Sequence, residues 1–514
     1  MYQQRKDPAN SIRIWTQNDY EIKTGFEKIT NASKKFNQSV ALLKISELVE
    51  EMHQKKTVIL DKGNYKITFS SLLFVAKEIL LHTSDSRGAN ISVDDLGKLC
   101  DIYHLISDPI VDGQRSDIPC IFIKMIYEQA IWQQRTRYFL PRSLLLFSEM
   151  HEPPYDYYQR QFETIFQKHF DISIRDFIIL SVASSFCVSK YGGHFRDNFI
   201  LNAKIDRFKS IFTPEKLDNF LNVVTLTNVE FRKYQSQYLI QDWREKKYEF
   251  NCLRTYPLIK NNNREIICPI PRLLLDRCTV GLYYELFNLY KKKDGDPYDF
   301  TKKYGEIFEH YIGILLKEKY QYGVNLFKAE EHLHCLTNQK IPDWIIYEND
   351  SVIIIECKSS HLPLKVLQSS DINDFKSYFR QYYLKNDSFQ FTASIDHFNK
   401  LGMIKKIYPL VVINDIPTFY NDLGSFFIND NEDFLSQIDA ENIQFMTLEE
   451  FETLMPNLDR YMLSDIIDMK LADVKLKREP FLTLFNEKEK LPNFDQSIDI
   501  QFLKKIYDDF LGVG

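Results

Sequence analysis

Residues 341–360, IPDWIIYENDSVIIIECKSS, set an aspartate, a glutamate and a lysine among apolar residues. Asp343 opens the run Trp344 to Tyr347, Glu348-Asn349-Asp350-Ser351 supplies turn chemistry, and Val352 to Ile355 leads into Glu356-Cys357-Lys358. The pattern predicts a β-hairpin. Side chains alternate along a strand, so Glu356 and Lys358 share one face while Cys357 points to the other. Charges placed beside so many apolar residues must be compensated by one another, by water in a cleft, or by a cation. A divalent metal is the economical partner, because Mg²⁺ binds through a few carboxylate oxygens and keeps waters and phosphate oxygens in its other positions. The lysine would hold or help deprotonate an attacking water and offset charge on a scissile phosphate. The chemistry suggested is metal-assisted hydrolysis.

Pro342-Asp343 and Glu356-Cys357-Lys358 resemble the paired elements of the PD-(D/E)XK nuclease superfamily, the restriction-endonuclease-like enzymes. The two carboxylates stand 13 positions apart, which suits two strands and a short turn. Upstream, Tyr304 to Leu316 carries Phe308, Tyr311, Ile312, Leu315 and Leu316 at helical spacing. Glu309 on that helix is similar to the glutamate that often completes the family's metal site, and Glu306, one turn away, is its substitute. The resemblance covers about residues 300 to 455. It implies that Asp343 and Glu356 bind Mg²⁺ or Mn²⁺, that Glu309 assists directly or through water, that the Cys357 carbonyl completes the inner shell, and that Lys358 orients and activates the water. It also implies a nuclease acting on nucleic acid, with DNA favoured over RNA because most of the family cuts DNA, and with a DNA endonuclease of bacterial anti-phage defence as the leading form. Two rivals stay open: a non-catalytic nucleic-acid-binding or assembly protein that keeps the fold, and a nuclease active only within a partner complex. The family's exonucleases often carry glutamine followed four positions later by tyrosine, but here Gln381 is followed by Lys385, which disfavours an end-resecting enzyme. The phosphate loop of a helicase motor, GxxxxGK[ST], occurs nowhere.

The elements that must position these residues read as α-β-β-β-α-β. A first strand is predicted over Val324 to Leu333, helices over about 371 to 385 and 389 to 401, and a strand over Tyr408 to Asn414. Ile443 to Met446 reads as a last strand before a helix capped by Thr447 and Glu450. The fold expected is a multidomain α+β chain. Residues 1–294 form a mainly helical substrate, partner or assembly region, 295–455 a restriction-endonuclease-like α/β core with a mixed sheet flanked by helices, and 456–514 an acidic helical segment that packs on the body or offers a partner surface. In the first region, Lys34 to Met52 carries a helical apolar stripe, Thr57 to Thr68 reads as a hairpin, Ser92 with Asp95 forms a capping box, and Thr213-Pro214 starts a helix. Turn-prone linkers are predicted at 260–264 and 291–297.

Whole-chain properties restrict the rest. The 514 residues are 44% hydrophobic and carry a net charge of −6, which does not by itself announce a nucleic-acid binder. The charge is uneven, however: residues 431–514 hold 18 acidic and 9 basic residues, leaving the first 430 at +3. Basic clusters occur at Arg135, Arg137 and Arg142, at Arg244, Lys246 and Lys247, at Lys291 to Lys293, and at Lys400, Lys405 and Lys406. Solvated surface is the default reading of each. The 39 Phe and 30 Tyr read as core, with base-stacking platforms as the sharper alternative. Eight cysteines without CxxC pairing read as reduced, packed thiols of a cytoplasmic protein. His332, His334 and Cys335 lack a second cluster at zinc spacing. No membrane span is expected, since the longest apolar stretch, between Asp176 and Lys190, is short and serine-rich and fits a buried helix. A protein partner or a second copy of the chain is compatible with all of this.

Overall fold

The computed structural model describes residues 19–85, 87–106, 136–203, 208–238, 246–247, 249–293, 296–333, 341–361, 391–402, 406–414 and 443–495, with isolated positions between 363 and 381 and between 500 and 508. Among the described residues helices dominate, and three small sheets complete a multidomain α+β fold. The strands are β1 (Ile59–Lys62), β2 (Tyr65–Thr68), β3 (Thr225–Thr227), β4 (Leu258–Lys260), β5 (Ile266–Ile267), β6 (Leu326–Lys328), β7 (Trp344–Glu348), β8 (Ser351–Lys358), β9 (Lys406–Ile413) and β10 (Gln444–Thr447). β1 and β2 are the predicted hairpin.

The central sheet has the order β10-β9-β8-β7-β6, with β6, β7 and β8 antiparallel in sequence and β8, β9 and β10 parallel. Asn349-Asp350 forms the tight turn between β7 and β8, with Asn349 at φ 48°, a left-handed conformation that asparagine tolerates better than most residues. The first strand is shorter than Val324 to Leu333. It stops at Lys328 because Ala329–His332 turns helical, with Glu330 and Glu331 in the favourable first turn. Thr447 and Glu450 close the predicted capping box at the start of helix Leu448–Leu454. Helix Thr392–Leu401 falls within the predicted 389–401 segment, whereas 371–385 lies largely outside the described residues.

Two readings of the N-terminal part change. Lys34 to Met52 is not one helix: Asn37 breaks it, its side chain accepting the Val40 N–H (3.1 Å), so that Asp19–Ser33 and Gln38–Gln54 are separate. The 260–264 segment is a turn between paired strands rather than a linker, closed by the Asn261 side chain accepting the N–H groups of Asn263 and Glu265 at 3.0 and 2.9 Å. At the polar 291–297 segment, Val280–Lys293 ends at Lys293 and Pro297–Lys317 begins at Pro297 under an Asp296 cap, with 294 and 295 outside the described residues.

Two apolar clusters hold the chain together. One gathers residues from 26–106 with Phe231, Phe250, Leu253, Ile259 and their neighbours. The other runs from Leu140 through the helices up to Tyr290, the inner face of the central sheet and the C-terminal Phe481, Leu484 and Phe485. The acidic segment therefore packs on the body. Glu348, at the end of β7, fixes its entry by accepting the Tyr320 hydroxyl (2.7 Å) and the backbone N–H groups of Leu463 (3.1 Å) and Ser464 (2.8 Å), which open helix Leu463–Leu471. A carboxylate at that end meets otherwise unpaired donors and the positive end of the helix. Among the described residues no single helix is long and apolar enough to cross a membrane; one bent pair, Tyr155–Phe170 with Ile174–Lys190, passes by length and composition, and Phe162, Phe166, Phe177 and Ile178 on it are core residues.

Helix Pro297–Lys317 is the element that matters most for the site. It reaches the sheet at Gly313, where a Cβ would lie 2.2 Å from the ring of Trp344 on β7. Further along, the Tyr311 hydroxyl donates to Glu452 Oε1 (2.7 Å), and Arg142 pairs with both oxygens of this fully buried carboxylate. Arg142 is thus half-buried and held in an ion pair. Gly313→Ala is expected to lower stability by about 1–3 kcal/mol, because neither backbone nor indole can yield that much space. Glu452→Ala is expected to cost about 3–5 kcal/mol by leaving the Arg142 charge without its partner. Both are read as denaturant midpoints against the parent chain.

Candidate active site

Asp343 stands just before β7, where its N–H donates to the Ile355 carbonyl (2.9 Å) and its own carbonyl accepts the Ala329 N–H (3.0 Å). Since Trp344 pairs with Ile355, this places Asp343 across from Glu356 on the neighbouring strand. Its Oδ2 accepts the Cys357 N–H at 2.6 Å. One carboxylate oxygen is therefore fixed against the backbone of the ECK segment.

Glu356 is 4% exposed and receives the Lys358 ammonium at 2.5 Å, as the shared strand face requires. Cys357 alternates to the opposite side and packs on the core. Burial, with the negative charges of Asp343 and Glu309, pushes its thiol well above the usual range. Burial works against the charge on Lys358, but the attraction of Glu356 and then Asp343 outweighs it and holds the ammonium above the usual lysine range.

Glu309 arrives from the helix. The Trp344 indole N–H donates to its carbonyl (3.3 Å), and Lys328 on β6 reaches its Oε1 at 3.3 Å. Burial first, and then the negative charge of Asp343, push the Glu309 carboxyl up to about 7, against the opposing pull of Lys328. Asp343 is likewise raised, by burial and by Glu356. Asp343 thus interacts electrostatically with Glu309 on one side and with Glu356 on the other. Glu306 is drawn elsewhere, hydrogen-bonded by the Tyr158 side chain.

Lys328 is the residue that the sequence pattern did not single out. Its signal was present in register only: it lies opposite Trp344, one position from Asp343, and its ammonium stands 5.6 Å from the centre of the indole. The soft-metal alternative loses its one described member, because His332 Nε2 lies 2.8 Å from the Tyr347 hydroxyl and its ring stacks on Phe327 at 4.3 Å; His334 and Cys335 lie outside the described residues. The six described cysteines are unbridged, and five of them are buried.

A family model of the type I restriction enzyme R protein N terminus matches residues 307–417. The chain carries a restriction-enzyme-related segment. It contains Glu309, Lys328, Asp343, Glu356, Cys357 and Lys358, and it leaves Glu306 outside. No curated protein and no solved structure matches the chain.

By chemical type, the carboxylate oxygens of Glu309, Asp343 and Glu356 are donors of the kind a hard divalent ion takes. In the arrangement described, lysines compensate part of their charge, Lys328 at Glu309 and Lys358 at Glu356. Among the described residues no group of three or more His, Cys, Asp or Glu stands ready-made at metal-holding spacing. Trp344→Phe is expected to cost about 1 kcal/mol by leaving the Glu309 carbonyl without its indole donor. Chemical denaturation of the variant checks this.

Proposed function

We propose that this protein is a divalent-metal-dependent nuclease of the PD-(D/E)XK type, hydrolysing phosphodiester bonds of DNA as an endonuclease. The observation that carries the reading is the placement of Asp343 across from Glu356-Cys357-Lys358 on paired strands, with Glu309 delivered beside them, inside the restriction-enzyme-related segment. Mg²⁺ or Mn²⁺ would be held by Asp343 and Glu356, with Glu309 and the Cys357 carbonyl as further oxygen donors. Bound there, the ion would lower the pKa of a water and offset charge on the scissile phosphate. Asp343 is oriented for this by the Cys357 N–H, and the rigid pairing of β7 with β8 keeps the two carboxylates in fixed relation. Lys358 directs its ammonium to the attacking water and the phosphate oxygens, where a fixed positive charge is most useful as negative charge builds up in the transition state. Residues 295–455 would carry this chemistry. The helical region 1–294 would select substrate or partner, and 456–514 would brace the core.

The Glu356–Lys358 pair favours a second reading, a nuclease that opens only with substrate or within a partner complex, because the lysine already occupies the carboxylate. A bacterial antiviral setting in the cytoplasm, with a protein partner or a second copy of the chain, suits such a gated enzyme.

Incubation of the purified chain with supercoiled, linear and single-stranded DNA, and with RNA, in Mg²⁺, Mn²⁺ or EDTA, tests both readings. Cleavage is expected with metal only, and Asp343→Ala and Lys358→Ala should each reduce it about a hundredfold or more. Cutting that survives EDTA or Asp343→Ala would sink the assignment. A chain that binds Mn²⁺ but cuts only after a partner is added would establish the gated form. Absence of both metal binding and cleavage would leave the non-catalytic binding protein.

A further inference from the structure

Lys328 has an unusual position for a residue with no part in the proposed hydrolysis. It is held on three sides by the elements that build the site. Its backbone pairs with Trp344 in the β6–β7 register, the next residue donates its N–H to the Asp343 carbonyl (3.0 Å), and its ammonium lies 5.6 Å from the Trp344 ring centre while reaching Glu309 Oε1 at 3.3 Å. The same indole donates to the Glu309 carbonyl. Lysine, backbone and carboxylate are thus locked to one aromatic ring.

The charges decide what this does. Glu309, Asp343 and Glu356 bring three carboxylates, and Lys358 and Lys328 answer two of them. Lys358 lies on the strand face of Glu356 and pairs with it at 2.5 Å. Lys328 instead holds the one carboxylate that comes from outside the hairpin, and it is the more exposed of the two lysines.

Resting on the metal-dependent reading above, we infer that Lys328 is a built-in competitor for the divalent ion: its ammonium holds Glu309, and the ion gains Glu309 as an oxygen donor only by displacing it. Lys328 is a positioning residue in this scheme. It keeps Glu309 beside Asp343 when no ion is bound, and it sets the ion concentration at which the site fills. Nucleic acid would release the same latch, since a backbone phosphate offers the ammonium an alternative partner at the moment Glu309 is needed.

Mn²⁺ titration by calorimetry, in the absence of nucleic acid, tests the inference on the full chain, on Asp343→Asn, and on Lys328→Met, Lys328→Gln and Lys328→Arg, with circular dichroism confirming folding. The two neutral variants are expected to bind Mn²⁺ more tightly, on the order of tenfold, as removal of a nearby positive charge requires after solvent screening. Lys328→Arg, which keeps the charge, should stay close to the parent. Tightening is the readout that a purely structural lysine would not produce, because loosening the site weakens binding. Unchanged or weaker binding in both neutral variants, with Asp343→Asn still abolishing it, would overturn the role of Lys328 and leave the metal site standing. No Mn²⁺ binding by the parent or by either neutral variant would overturn both.

Discussion

Helix Pro297–Lys317 can come as close to the central sheet as it does only because Gly313 has no side chain where the Trp344 ring lies. From that contact the geometry of the site follows. The indole, seated against the helix, turns its N–H to the carbonyl of Glu309 one turn earlier, and β7 brings Asp343 in as the residue before Trp344. Pairing of β7 with β8 then puts the Cys357 N–H on Asp343, and pairing with β6 puts Lys328 on Glu309. Three charged residues, Glu309, Asp343 and Lys328, are thus positioned around one tryptophan and the glycine beneath it. Close packing makes such an arrangement unforgiving, since the interior has no slack to absorb a methyl group.

The rest of the chain braces this unit with buried charges as well as apolar contacts. Glu452 draws together Arg142 and Tyr311 from helices far apart in sequence, and Glu348 receives the start of helix Leu463–Leu471. Pairs of this kind add little net stability compared with apolar packing, but they penalise any arrangement in which one partner is missing. The apolar cluster that includes the inner face of the sheet also includes residues from Leu140 onward and from the C-terminal segment, so the sheet is not a free-standing module with ornaments.

The restriction-enzyme-related match is confined to 307–417, and every residue of the charged cluster lies within it. The matched segment carries carboxylates and lysines in mutual compensation, while the helical region before it carries side chains that serve packing, such as Lys247, which donates to the Ile106 carbonyl (3.0 Å). Basic residues counted along a sequence are poor evidence of a phosphate track when some of them, like Lys247, are buried.

The sequence by itself determined the hairpin, its turn at Asn349-Asp350, the alternation that joins Glu356 to Lys358, and the capping boxes at Ser92 and Thr447. All of these are set by local rules: period-two alternation, turn propensity, and side-chain oxygens within three residues of the N–H groups they accept. It also placed Glu309 on the right helix, since amphipathic spacing is a local property. What it could not decide was which distant groups meet. The service of Glu348 to a helix more than a hundred residues away and the meeting of Lys328 with Glu309 depend on strand register and helix–sheet approach. Only the tertiary structure settles those, because each brings together residues far apart in sequence and is not set by the preferences of any one segment.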